Sequence, residues 1–147
     1  MFKRLLVPVD GGDLAERAMQ ASLEVARTFG ASITAFIAES PAPPASSARS
    51  AAHVLHELET QAASAARHAR RVLTDFERRA AAAGIAFEGY FAQAHRVDEA
   101  IADVARQRGC DLIVMVTHGR GAFGAWLFAS PTRGVLVRSD LPMLVLR

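Results

Sequence analysis

Asp111-Leu112-Ile113-Val114-Met115-Val116-Thr117-His118-Gly119-Arg120-Gly121 is the stretch whose reading decides the fold. Its apolar run is too short for a helix and has no polar alternation, which predicts a strand buried on both faces from Leu112 to Val116. Glycines follow at once, and the chain then reaches Ser130-Pro131. A hydroxyl residue before a proline is a helix start, with Ser130 as cap and Pro131 at the first helical position. A second apolar run, Met143 to Leu146, closes the chain. Strand, glycine loop and capped helix together aim backbone N–H groups at a point where an anion could sit.

Upstream, the same grammar repeats. Arg4 to Val9 reads as a strand, Asp10-Gly11-Gly12-Asp13 as a turn with Asp13 capping a helix from Leu14 to Phe29, and Gly30 as its stop. A strand from Ser32 to Ala38 leads into Ser40-Pro-Ala-Pro-Pro-Ala-Ser-Ser, a mobile surface loop over about 40–51. A long helix is expected from His53 to Ala83, a strand from Phe87 to Ala92 and a helix from Asp98 to Arg108, with Gly84 and Gly109 as helix stops. Strict alternation of strand and helix predicts one α/β domain over 1–147, doubly wound and Rossmann-like, with a five-stranded, mostly parallel sheet. If the first and fourth strands are neighbours, the ligand crevice lies between Asp10 and the 118–130 segment.

Composition excludes several classes. At 147 residues the chain buries roughly two-thirds of its unfolded surface, enough for a single core. The formal net charge is only +2, and Lys3 is the sole lysine. The densest basic patch, Arg67-His68-Ala69-Arg70-Arg71, lies in a helical pattern that also carries acids, so no nucleic-acid partner is expected. Cys110 stands alone, which rules out an internal disulfide and suits a cytoplasmic location. No apolar run is long enough to span a bilayer, and no membrane association is expected.

Gly119-Arg120-Gly121-Ala122-Phe123-Gly124 matches G-x-G-x-x-G but lacks the long helix and the later acidic residue of a dinucleotide site. A Walker loop is excluded because no glycine-lysine pair exists. His53 and His56 sit three apart on a helix without a carboxylate–histidine constellation, so no metal is expected there. Trp126, Leu127 and Phe128 make a bulky apolar segment expected to pack on the sheet or cover a pocket. Cys110, just before a buried strand, reads as inert.

A full set of ordered segments carries a more specific likeness. Leu6-Val7-Pro8-Val9-Asp10-Gly11, Asp111 to Met115, Thr117-His118-Gly119-Arg120-Gly121 and Leu141-Pro142-Met143-Leu144-Val145 resemble the universal stress protein family across essentially the whole chain. The resemblance implies an adenine nucleotide α-hydrolase-like fold and a homodimer associating through terminal strands. It also implies one of two states, since one branch of the family binds ATP and the other does not. The binding branch carries G-x2-G-x9-G-[ST]; here those positions are Val116, Gly119, Ala129 and Ser130. By the same likeness Asp10 takes the acidic adenine contact and Ile37 the apolar one. His118, Arg120 and Thr132 complete the candidate site, with Arg120 supplying charge. A G-x-P turn before the third helix is replaced by His95-Arg96-Val97.

Three of these departures bear on binding. Val116 puts a branched side chain where a glycine would admit ligand. Ala129 suits the motif only at negative φ, and Pro131 lacks one N–H donor. Two readings follow. One is a cytoplasmic, dimeric stress-response module that binds ATP, with magnesium, in impaired form. The other is a stress protein that binds no nucleotide and acts through an unidentified protein partner. No nucleophile–base pair, paired carboxylates or metal cluster is present, so no enzyme beyond slow ATP hydrolysis is expected.

Overall fold

The computed structural model describes residues 1–9, 12, 14–41, 50–117 and 131–146. The elements follow in the order β1 (Arg4–Pro8), α1 (Ala15–Phe29), β2 (Ser32–Glu39), α2 (Ala51–Ala82), β3 (Phe87–Gln93), α3 (Val97–Gln107), β4 (Leu112–Val116), α4 (Pro131–Arg138) and β5 (Met143–Leu146). The strands form one sheet in the order β3-β2-β1-β4-β5, and every pairing is parallel. This is the doubly wound five-stranded sheet that the alternation of strand and helix implied.

Alternate residues of the central strands enter two different cores, which is why these strands read as unbroken apolar runs. Leu5, Val7 and Val9 of the β1 segment, Ile33, Ala35 and Ile37 of β2, and Leu112 and Val114 of β4 pack with Met19, Ala26, Ala69 and Phe76 beneath α1 and α2. Leu6, Phe36, Ile113 and Met115 face the other way, toward Ile101 and Ala105 of α3 and Val135 of α4. Helices thus cover both faces.

The expected glycine stops hold, and their geometry shows the reason. Gly30 adopts φ 65° after α1, and the following Ala31 N–H reaches back to the Ala26 carbonyl at 2.9 Å. Such a six-residue return needs a left-handed residue, which glycine adopts without steric cost. The same return follows α2 and α3, from Ile85 to Ala80 and from Cys110 to Ala105, past Gly84 and Gly109.

Boundaries differ in places from the sequence expectation. The α2 helix starts at Ala51, inside the span assigned to the loop, because Ser50 caps it by accepting from the His53 N–H. The segment 42–49, which carries Pro43 and Pro44 of that loop, lies outside the described residues. So does Asp13; Leu14 stands at the N-cap of α1, with no side-chain cap. Among the described residues no helix is long and apolar enough to cross a membrane.

Candidate functional site

Strand order creates the site. β1 pairs with β4 at Leu5–Leu112 and Leu6–Ile113, whereas the chain leaving β1 returns as β2 on one side and that leaving β4 returns as β5 on the other. Connections therefore diverge above the carboxyl ends of β1 and β4, the switch point at which open α/β sheets form a ligand crevice. Its β1 wall ends at Val9, whose N–H donates to the Phe36 carbonyl at 2.9 Å. Its β4 wall ends at Thr117, only 4% exposed. The Thr117 N–H donates to the Leu146 carbonyl at 2.9 Å, and its hydroxyl donates to the same oxygen at 3.3 Å. Both bonds tie the β4 exit to the end of β5.

Of the residues the sequence nominated, the structure describes three. Val116 is the last residue of β4, half-buried and in register with Leu146. Thr132 is buried in the first turn of α4. Ile37 is wholly buried in the core beneath α1 and α2. Asp10, His118, Gly119, Arg120, Ala129 and Ser130 lie outside the described residues, as do Trp126, Leu127 and Phe128. His95 is exposed immediately before α3.

The α2 helix flanks this edge. Phe76 meets Phe87 with ring centroids 5.0 Å apart, and Leu73 packs against Gly89 one turn higher. Continued at helical pitch, the part of α2 before about residue 65 passes the end of β3. His53 and Glu57 lie on that part, with Nε2 to Oε1 at 3.3 Å. No group of three His, Cys, Asp or Glu suited to a metal occurs among the described residues.

A cluster the sequence did not reveal joins α3 to α4. Arg138 Nη1 lies 2.7 Å from Asp98 Oδ2, and its Nε lies 3.5 Å from Glu99 Oε1. Arg96 also pairs with Glu99, at 2.7 Å. In sequence these groups look local: acids in a first helical turn and an arginine in a last turn each suit their own helix dipole. Their meeting depends on how two helices pack.

Cys110 behaves as the sequence suggested. It is buried, and burial pushes its thiol pKa up, more than the Thr34 hydrogen bond pulls it down. Such a thiol is a poor nucleophile.

A family model described as "Universal stress protein family" matches residues 1–147. The chain belongs to the universal stress protein family. A universal stress protein from Thermus aquaticus, described by its place in the 3′ region of QAH/OAS sulfhydrylase, is 30% identical over 147 residues, the full length of both chains. Among solved structures, a universal stress protein from Burkholderia pseudomallei superposes with TM-score 0.71 at 23% identity, covering 99% of this chain and 96% of that one. A universal stress protein in complex with cAMP gives 0.69 at 20% identity, covering 99% and 97%. An Arabidopsis thaliana family member with AMP bound gives 0.65 at 13% identity, covering 98% and 90%. At these identities the structural likeness is one of fold.

Proposed function

We propose that this universal stress protein is a nucleotide-responsive module that binds an adenine nucleotide, ATP with magnesium, at the carboxyl edge of β1 and β4. The observation that carries the reading is the adjacency of β1 and β4, with α4 the element that follows β4 in the chain. Family members holding cAMP and AMP support it. In this reading Asp10 hydrogen-bonds the adenine or ribose, and Gly119, Ser130 and Thr132 hold phosphate with charge from Arg120. Val116 and Ala129, in place of glycines, and Pro131, without an N–H, weaken the grip. No residue is nominated as a general base, so hydrolysis is slow or absent.

Occupancy would be signalled by a cytoplasmic homodimer. Among the described residues β5 is an edge strand paired only with β4, and Val145 on it is 41% exposed. Unpaired apolar edges tend to be covered by a partner strand. Leu136 and Val137 on α4, 54% and 73% exposed, favour the second reading, a stress protein that works through a protein surface and holds no nucleotide.

Melting of nucleotide-stripped protein with and without magnesium-ATP separates the two. Ligand at about 100 times its Kd adds roughly 2.7 kcal/mol, a rise of several degrees. A rise that vanishes in Asp10→Ala and Ser130→Ala places the site at this edge. No rise at millimolar ATP rejects the nucleotide reading and leaves the protein-surface reading.

A further inference from the structure

We infer that Asp98, seated against Gly134 and held by Arg138, is a positioning lock that sets α4 so that its first turn faces the crevice. The functional consequence rests on the nucleotide reading above; the lock itself does not.

Gly134 sits in the middle of the short helix α4, where glycine costs helix stability relative to alanine. Its use lies in the space it leaves. A Cβ at 134 would stand 2.6 Å from Asp98 Cβ and 2.7 Å from Asp98 Cγ, so any larger residue evicts the Asp98 side chain. Into that space Asp98 projects from the first turn of α3, and Arg138 reaches back along α4 to close the pair at 2.7 Å. Arg138 Nη1 also donates to the Gly134 carbonyl at 3.4 Å. One arginine thus joins the carboxylate to the backbone of the residue that makes room for it. Glu99 and Arg96 complete a network of two acids and two bases, formally neutral.

The placement gives the lock its meaning. Asp98 opens α3 and Thr132 opens α4, and both helices start at the carboxyl edge of the sheet. Gly134 is two residues past Thr132, within the same turn. α4 is also held by Thr132, buried in its first turn, and by Val135, buried in the core shared with Ile101 and Ala105. Asp98 adds a directional tie between its first turn and α3, and that tie sets the direction of its first N–H groups.

Two variants and two readouts test this. Gly134→Ala evicts Asp98 without changing any charge, and Asp98→Asn keeps the side chain's shape while weakening its hold on Arg138. Amide hydrogen exchange is followed at residues 135–138, whose N–H groups bond back to the first turn, with the β1 and β4 amides reporting that the fold is intact. Magnesium-ATP affinity is measured on the same samples. Faster exchange confined to 135–138 in Gly134→Ala, with a smaller effect in Asp98→Asn, supports the lock. ATP affinity about tenfold weaker in Gly134→Ala, the factor that 1.4 kcal/mol produces, supports its role at the site. Unchanged exchange at 135–138 in both variants overturns the lock. Altered exchange in a protein whose wild-type form binds no ATP sustains the lock and rejects the nucleotide reading alone.

Discussion

Asp111 and Arg4 hold each other across the amino edge of the sheet. The Arg4 N–H donates to Asp111 Oδ1 at 3.0 Å, and the Asp111 N–H donates to the Arg4 carbonyl at 2.9 Å. The second carboxylate oxygen accepts from the Lys3 N–H at 2.8 Å. One side chain thus satisfies two backbone donors where β1 begins and aligns β1 with β4. That alignment sets which residues stand at the carboxyl end, where the crevice opens.

Replacing Asp111 by Ala removes both side-chain acceptors. A hydrogen bond to a charged group contributes about 1.5–3 kcal/mol, and partial exposure here places the total loss toward the lower figure. Urea unfolding of Asp111→Ala should show a lower midpoint with an unchanged slope, and Asp111→Asn a smaller loss. A midpoint equal to wild type would show that water replaces the carboxylate.

Phe76 is wholly buried and packs on Phe87 under α2. Phe76→Ala should cost about 3–5 kcal/mol, the range for losing a buried aromatic ring. Guanidinium unfolding measures it, and a loss under about 1 kcal/mol would mean that the α2 face repacks freely.

Gly30 at φ 65° has nothing within 4 Å of where a Cβ would stand. Gly30→Ala therefore tests backbone conformation without a clash, and a cost of about 1 kcal/mol is expected. A thermal melt showing no loss would indicate that the end of α1 re-forms with another cap.

Asp75 supplies the pH-dependent element. Its hydrogen bond from Arg78 holds the carboxyl below its usual pKa against the opposing effect of burial, with the Arg79 charge adding to the depression. A depressed folded pKa gives stability that is present above the unfolded value and is lost as pH falls through the folded one. The stability difference between wild type and Asp75→Asn should thus be full at neutral pH, begin to fall near the unfolded value of about pH 4, and vanish only below the depressed folded value. Because the side chain is about a third exposed, the difference should be small, under about 1 kcal/mol. A difference that persists unchanged in acid would assign it to packing.

Cys110 should react slowly with a disulfide reagent in the native protein and at an ordinary thiol rate after unfolding. Burial and a raised pKa both suppress the thiolate. A fast native reaction would show that the amino edge near β4 opens frequently.

Much of the fold was legible in the sequence. Leu112 to Val116 read as a buried strand because both its faces are covered, and Gly30, Gly84 and Gly109 marked helix ends through backbone geometry each residue carries by itself. The start of α2 was misplaced, since Ser50 is one of several serines after the proline-rich segment and its role as cap depends on which N–H it meets. At the candidate site, Val116 and Thr132 fell at a strand end and a helix start as their neighbours implied. Ile37, read as a ligand neighbour, is wholly buried late in β2.

The sequence by itself determined the alternation of strands and helices, the glycine stops of three helices and membership of the universal stress protein family. Each follows from local periodicity, turn chemistry or ordered motifs, which need no partner distant in the chain. Tertiary structure alone decided that β1 lies beside β4, that Asp111 bonds the backbone of Lys3 and Arg4, and that Asp98 fills the space left by Gly134. Those relationships join segments far apart in sequence. Their free energy appears only when the packed sheet brings the segments within contact, and no local pattern encodes it.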